Sequence, residues 1–180
     1  MDAFEPMQFG EYLWVCPSHR PVVDKSAINI KLDPGLAFGT GTHATTALCL
    51  HWLGSLGDRQ ALAGKSVLDF GCGSGVLAIA AALMGASSLL AIDIDPQALQ
   101  ATRQNADANH VGDQIETALA VEQKTTEYDL LMANILFQPL MELAEDFSKL
   151  LRPGGKLLLS GILEEQIEPL RLRYLSLIHI

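Results

Sequence analysis

Val67-Leu-Asp-Phe-Gly-Cys-Gly-Ser-Gly-Val-Leu-Ala-Ile-Ala-Ala-Ala82 is the stretch that decides the fold of this chain. A short apolar run ends in a polar residue, glycines follow at 71, 73 and 75, and an alanine-rich segment begins at once. That order predicts a strand, a tight turn and a helix N-terminus. Glycine lets a backbone approach a ligand closely, and the free N–H groups of the first helical turn are expected to face it. The stretch reads as a socket for a nucleotide-like ligand.

The same alternation repeats on either side. Strands are predicted at 66–70, 89–94, 115–121, 128–133 and 156–160, and helices at 42–56, 76–84, 96–109, 138–151 and 164–174. Asp95-Pro96 supplies an N-cap and an N1 proline, and Gly85 a helix stop. Arg152-Pro153-Gly154-Gly155 predicts a break and a turn. Apolar strands alternating with helices imply an α/β fold with a parallel sheet covered on both faces. Ligands bind such sheets at the strand C-terminal ends, near the point where strand order reverses. Gly71, Asp93 and Asn134 each follow or close a strand, so one cleft can hold all three. Residues 1–31 are expected to be irregular, because Pro6, Pro17 and Pro21 break any helix. Phe4, Phe9, Tyr12, Leu13 and Trp14 make the segment too apolar for a free linker, so it should pack against this domain or a neighbour.

Composition narrows the function classes. With 180 residues, 49% hydrophobic and 18% charged, the chain suits one α/β domain and is not mainly disordered. No apolar run is long enough to span a membrane, and the acidic start Met1-Asp-Ala-Phe-Glu5 is unlike a secretory signal, so a cytoplasmic location is expected. A formal charge of −9 and a pI near 4.9 count against duplex nucleic acid and favour a basic protein partner. Cys16, Cys49 and Cys72 are odd in number and form no CxxC pair, so neither a disulfide framework nor a metal site is indicated. Cys72 lies in the glycine loop with no histidine or basic neighbour in sequence to lower its pKa, and reads as a small packing residue rather than a nucleophile.

Two ligand classes compete for the socket. A dinucleotide fingerprint wants glycine at its first, third and sixth positions and an acid about 20 residues on. Gly71, Gly73 and Asp93 fit, but Val76 occupies the sixth position and the third glycine falls at Gly75. The pattern is off by one where a pyrophosphate would lie. S-adenosylmethionine has a ribose and no phosphate. Asp93, at the end of the second strand of the repeat, is placed to accept hydrogen bonds from ribose hydroxyls. Asp95 reads as a cap. A nicotinamide-dependent oxidoreductase is the rival enzyme class.

Val-Leu-Asp-Phe-Gly-Cys-Gly-Ser-Gly resembles the first motif of the Rossmann-like class I methyltransferases. The loop Leu32-Asp-Pro-Gly-Leu-Ala-Phe-Gly-Thr-Gly-Thr-His-Ala-Thr-Thr46, with Ala133-Asn-Ile-Leu136 and Leu159-Ser-Gly-Ile-Leu163, is similar to the ribosomal protein L-11 methyltransferases, the PrmA family. The resemblance runs from about Phe4 to Glu165. It implies a mostly parallel twisted sheet with S-adenosylmethionine bound by residues matching Thr46, Gly71, Gly73, Asp93 and Asn134. It also implies that Phe38 and Gly39 lie beside the transferred methyl group on the substrate side. Asn134 is the implied catalytic group, orienting the target nitrogen, and a turn asparagine is its alternative. His43 reads as a structural or capping residue rather than a base. The acceptors implied are lysine ε-amines and the α-amine of ribosomal protein L-11, with no direct contact to nucleic acid or membrane.

Methyltransferases of this class that act on RNA bases or release-factor glutamine often carry Asn-Pro-Pro-aromatic at the fourth-strand end. Here Asn134-Ile-Leu-Phe137 lacks both prolines. Phe137 stands where the PrmA family tends to have a small residue. The family also carries an N-terminal recognition domain and a closing antiparallel strand pair. Residues 1–31 are therefore expected to be an interdomain linker, and 32–180 a C-terminally truncated S-adenosylmethionine-binding domain. A cofactor-binding fragment without activity is the non-enzymatic alternative.

Overall fold

The computed structural model describes residues 5–32, 43–120 and 127–177. Its centre is a five-stranded sheet of β4 (Ser66–Phe70), β5 (Ser88–Asp93), β6 (Ile115–Leu119), β7 (Tyr128–Asn134) and β8 (Leu151–Ser160), in the spatial order β6-β5-β4-β7-β8. Every pairing in this sheet among the described residues is parallel. The chain moves outward from β4 through β5 to β6, then returns to place β7 on the other flank of β4. Strand order therefore reverses between β4 and β7, where the sequence located the cleft.

Side chains alternate across the sheet and split the core in two. Val67, Leu89, Ala91, Leu130 and Met132 pack with α1 (Ala44–Gly54), α2 (Val76–Leu83) and α3 (Pro96–Ala108). Leu68, Leu90, Ile92, Leu131 and Ala133 meet α4 (Phe137–Glu142), α5 (Ala144–Leu150) and α6 (Ile167–Leu175). Every residue of α2 from Val76 to Ala82 is buried. That explains its composition: a helix enclosed on all sides must be apolar throughout, and alanine lets its neighbours approach closely.

The expectation of irregular backbone over residues 1–31 is corrected. β1 (Met7–Phe9), β2 (Leu13–Cys16) and β3 (Ile28–Lys31) form a second sheet, with β1 antiparallel and β3 parallel to β2. The prolines fall outside these strands, so they exclude a helix without excluding short extended pairs. Phe9, Leu13, Val15, Ile28 and Ile30 join the same core cluster as α1 and α2. Phe9 also meets His51 of α1 edge to face at 5.1 Å. The segment packs on this domain.

Two further boundaries differ. The helix expected at 138–151 is two helices, α4 and α5, parted at Leu143, whose φ of −81° and ψ of 0° close one and open the other. β8 starts at Leu151 rather than Lys156, because the Pro-Gly-Gly turn is absorbed as an irregularity. Its register steps from Tyr128 opposite Leu151 to Leu130 opposite Lys156. Proline cannot donate to a ladder and Gly154 has φ 77°, so these residues bulge while the strand resumes beyond them.

Candidate active site

The strand C-terminal ends open into one cavity of about 1180 Å³. Pockets for small ligands usually span about 300–1,000 Å³, so a nucleoside-sized ligand leaves room for a second reactant. Gly71, Gly73, Asp93 and Asn134 all line it. Thr46 is not among the described residues that do; it lies buried in the first turn of α1. Phe38 and Gly39 lie outside the described residues.

The glycine loop is positioned by what surrounds it. Gly71 has φ 77°, and a side chain there would collide with Ile135 Cγ2, so the loop and the segment after β7 touch directly. Gly161 (φ 91°), just past β8, lies against the Ile135 backbone, which any Cβ there would strike. The loop's outer rim is held by α3. Thr102 Oγ1 donates to Gly73 O at 3.1 Å and Asn105 Nδ2 donates to Ser74 O at 2.8 Å. One turn further along, Asn109 accepts from Lys31 N at 2.7 Å and donates to Lys31 O at 2.8 Å, fastening the end of β3 to the same helix.

Sequence reading passed over this polar stripe at 102, 105 and 109. Its helical spacing, on a face otherwise built of alanine and leucine, is the signal that would have found it.

Asp93 is the hub of the cleft. Its Oδ2 accepts from Gly73 N and its Oδ1 from Asp95 N, each at 3.0 Å. A carboxylate offers about four acceptor positions, so each oxygen keeps one for a ligand hydroxyl. Asp95 caps α3 as expected, accepting from Gln97 N at 2.9 Å. His43 likewise caps α1, with Thr45 N donating to its Nδ1 at 3.4 Å. Cys72 is buried and pushed up to about 12, first by burial and then by the Asp69 and Asp93 charges, so it forms no thiolate near neutral pH.

The first turn of α2 departs from expectation. Its N–H groups are not all free to meet a ligand, because Ala78 N donates to Asp69 Oδ2 at 3.1 Å and Val76 N donates to Ser74 Oγ at 3.4 Å. A carboxyl group of the protein already occupies the place where a phosphate would draw on the helix dipole. This, as well as Val76 at the sixth fingerprint position, disfavours a pyrophosphate.

Burial is the main cause that raises Asp69 from 3.8 to about 7; the Ala78 N–H opposes it and the Asp93 charge adds to it. The folded chain therefore holds this proton where the unfolded chain has released it. Its contribution to stability is full below about pH 4 and lost as pH rises towards 7. Asp69→Asn should then be less sensitive to pH than the wild type between about pH 5 and 8, judged by urea midpoints at both. Parallel declines in the two proteins would exclude an elevated Asp69.

Asn134 closes β7. Its Nδ2 donates to Thr46 Oγ1 at 3.0 Å, while its Oδ1 is buried and accepts no hydrogen bond. Among the described residues no cluster of His, Cys, Asp and Glu side chains is arranged to hold a metal ion. None of the described helices is long and apolar enough to cross a membrane.

Relatives of high sequence identity are ribosomal protein L11 methyltransferases. The family model described as "Ribosomal protein L11 methyltransferase (PrmA)" matches residues 1–178. A ribosomal protein L11 methyltransferase of Alteromonas mediterranea is 55% identical over 174 residues, 97% of this chain and 58% of that protein. The Vibrio cholerae protein of the same name is 57% identical over 169 residues, 93% of this chain and 56% of its own length. This chain thus spans a little over half the length of these relatives. Among solved structures, a ribosomal protein L11 methylase from Lactobacillus delbrueckii subsp. bulgaricus superposes with a TM-score of 0.85 at 30% identity, covering 97% of this chain and 89% of that one. An RNA methyltransferase of Salinibacter ruber, solved with S-adenosyl-L-homocysteine, shares the fold with a TM-score of 0.54 at 21% identity, covering 64% of this chain and 75% of its own. These likenesses give the nicotinamide-oxidoreductase alternative no support. The sheet is of the Rossmann-like methyltransferase type, and the chain belongs to the ribosomal protein L11 methyltransferase family.

Proposed function

We propose that this chain is the catalytic part of a protein N-methyltransferase that moves methyl groups from S-adenosylmethionine to lysine ε-amines and the α-amine of ribosomal protein L11. The observation that carries the reading is the convergence of Gly71, Gly73, Asp93 and Asn134 on one cavity at the switch point of the sheet. The residues suit this cofactor: Asp93 retains acceptor positions for the ribose hydroxyls, Gly71 and Gly73 give close backbone approach, and no phosphate site is needed. When bound, S-adenosylmethionine supplies an electrophilic methyl group for in-line displacement.

The protein's part is positioning. A free lysine has a pKa near 10.4, so its nucleophilic form is scarce at neutral pH. Asn134 Oδ1, buried and without a donor, is suited to accept a hydrogen bond from the target nitrogen and aim its lone pair at the methyl group. Residues 32–180 are read as the cofactor-binding domain. The small sheet of residues 7–31 is read as a linker segment docked on it. The charge of −9 accords with a basic ribosomal protein as partner and with no direct nucleic acid contact. A cytoplasmic location follows from that partner.

Calorimetry with S-adenosylhomocysteine and with NADH, followed by transfer of labelled methyl to purified L11 beside a full-length relative, tests the reading. We expect S-adenosylhomocysteine to bind, NADH not to bind, and L11 to be labelled. Binding of NADH alone would overturn the cofactor assignment. Cofactor binding without labelling, where the full-length relative labels L11, would leave a binding fragment.

A further inference from the structure

The end of the sheet remote from the cleft carries a second, smaller depression. The first residues of β4, β7 and β8 meet there, about 16 Å from Gly71 along the five residues of β4. Its volume is about 140 Å³, and Trp52, Leu56, Leu62, Lys65, Leu130 and Lys156 line it. We propose that this depression docks an acidic segment of a protein partner, with a carboxylate held by the Lys65 and Lys156 ammonium groups and a neighbouring apolar side chain resting on Trp52 and Leu56. Nothing in this site depends on the methyltransferase reading.

Charge complementarity points to the occupant. Lys65 and Lys156 are exposed and belong to no ion pair among the described residues. Asp129, also at the depression, is already engaged: its Oδ2 accepts from Ser66 N at 2.8 Å, Ser66 Oγ at 3.0 Å and Arg152 Nη1 at 3.1 Å. Lys65 acts on Asp129 only as a longer-range charge. Two cations are thus left without a bonded carboxylate, on a chain whose formal charge is −9. Lys156 Nζ stands 5.9 Å from the centroid of the Trp52 ring, a cation–π contact that holds its head over the apolar floor.

Other ligand classes fit less well. Lys156 covers the Trp52 ring, so the ring is not open to stack on a base, and two cations are few for a phosphate backbone. The volume is below the roughly 300 Å³ at which cofactor pockets begin and suits a single side chain. The depression is also preformed. Lys65 N donates to Leu62 O at 2.9 Å, Ser87 N to Lys65 O at 2.9 Å and Leu62 N to Met84 O at 3.1 Å, which ties the segment before β4 to the turn after α2. The β8 bulge supplies the other wall, with Arg152 turned to Asp129 and Gly154 at the rim. A partner would therefore find little left to order.

The two indole N–H signals of the nitrogen-15-labelled chain belong to Trp14 and Trp52, and Trp14, in β2, is the internal control. The probe is a blocked pentapeptide, Glu-Leu-Glu-Leu-Glu. We expect a saturable shift at Trp52 and none at Trp14, with a Kd of about 1 mM or tighter that weakens as salt rises above about 0.1 M. Lys65→Gln and Lys156→Met should each weaken binding about five-fold, and Lys65→Glu with Lys156→Glu should abolish it. The Kd for S-adenosylhomocysteine should stay within about two-fold in all of them, because the two sites lie at opposite ends of the strands. No saturable shift at Trp52, an equal response to Gln-Leu-Gln-Leu-Gln, or tighter binding of a uridine oligonucleotide would each overturn the proposal. A Trp52 shift that follows protein concentration without peptide would overturn it too, and assign the site to a second copy of the chain. If the doubly reversed variant does not fold, the glutamate and glutamine peptides on the wild type decide.

Discussion

Asp93→Ala is expected to raise the Kd for S-adenosylhomocysteine by roughly 100-fold, measured by calorimetry. The residue has two roles that fail together. On the proposed reading its carboxylate accepts two ribose hydroxyl hydrogen bonds, and bonds to a charged acceptor are each worth about 1.5–3 kcal/mol, so losing the pair costs about 3 kcal/mol or more. It also accepts from Gly73 N and Asp95 N at 3.0 Å, holding the glycine loop against the start of α3. Removing it frees the loop that should contact the rest of the ligand. Asp93→Asn keeps an acceptor oxygen and should fall between wild type and alanine. A change below about five-fold in the alanine variant would remove Asp93 from the ribose site.

Asn134→Ala should show the opposite partition, with kcat reduced by roughly 100-fold and the Kd for S-adenosylhomocysteine altered by less than about five-fold. A misplacement near 1 Å is enough for a loss of this size when alignment supplies most of the rate. The side chain sits at the end of a buried strand, and alanine is compatible with strand geometry, so the fold should persist. Equal losses in rate and affinity would instead make Asn134 a cofactor ligand only.

The legible parts of this molecule are those in which local chemistry and tertiary packing agree. β4, its glycine loop and α2 were placed almost to the residue, because an apolar run, alternating glycines and an alanine-rich segment follow one another without a gap. The Asp95 cap and the His43 cap were readable for the same reason. The small N-terminal sheet was not. Its strands of three and four residues are too short to establish a period, and the Pro17 and Pro21 signals between β2 and β3 read as irregular backbone.

The bulge in β8 was hidden by a proline–glycine signal that marks a strand irregularity and a strand boundary alike. The location of Gly71, Gly73, Asp93 and Asn134 in the cleft was readable from their places at strand ends. The bond from Asn134 to Thr46 was not, since nothing local to either residue specifies a partner 88 positions away. The grip of Thr102 and Asn105 on the glycine loop was equally hidden, because it depends on which face α3 turns inward.

The carboxyl group of Asp69 at the head of α2 bears on what this architecture discriminates. Parallel α/β sheets of this type commonly hold phosphorylated cofactors, and they do so by leaving a helix N-terminus open to a negative charge. Here that end is stoppered from within, and a second acid, Asp93, stands at the neighbouring strand end. On the proposed reading, the cleft takes a nucleoside and has no open helix end for a phosphate. S-adenosylmethionine, which carries no phosphate, meets that constraint, whereas a pyrophosphate-bearing cofactor does not.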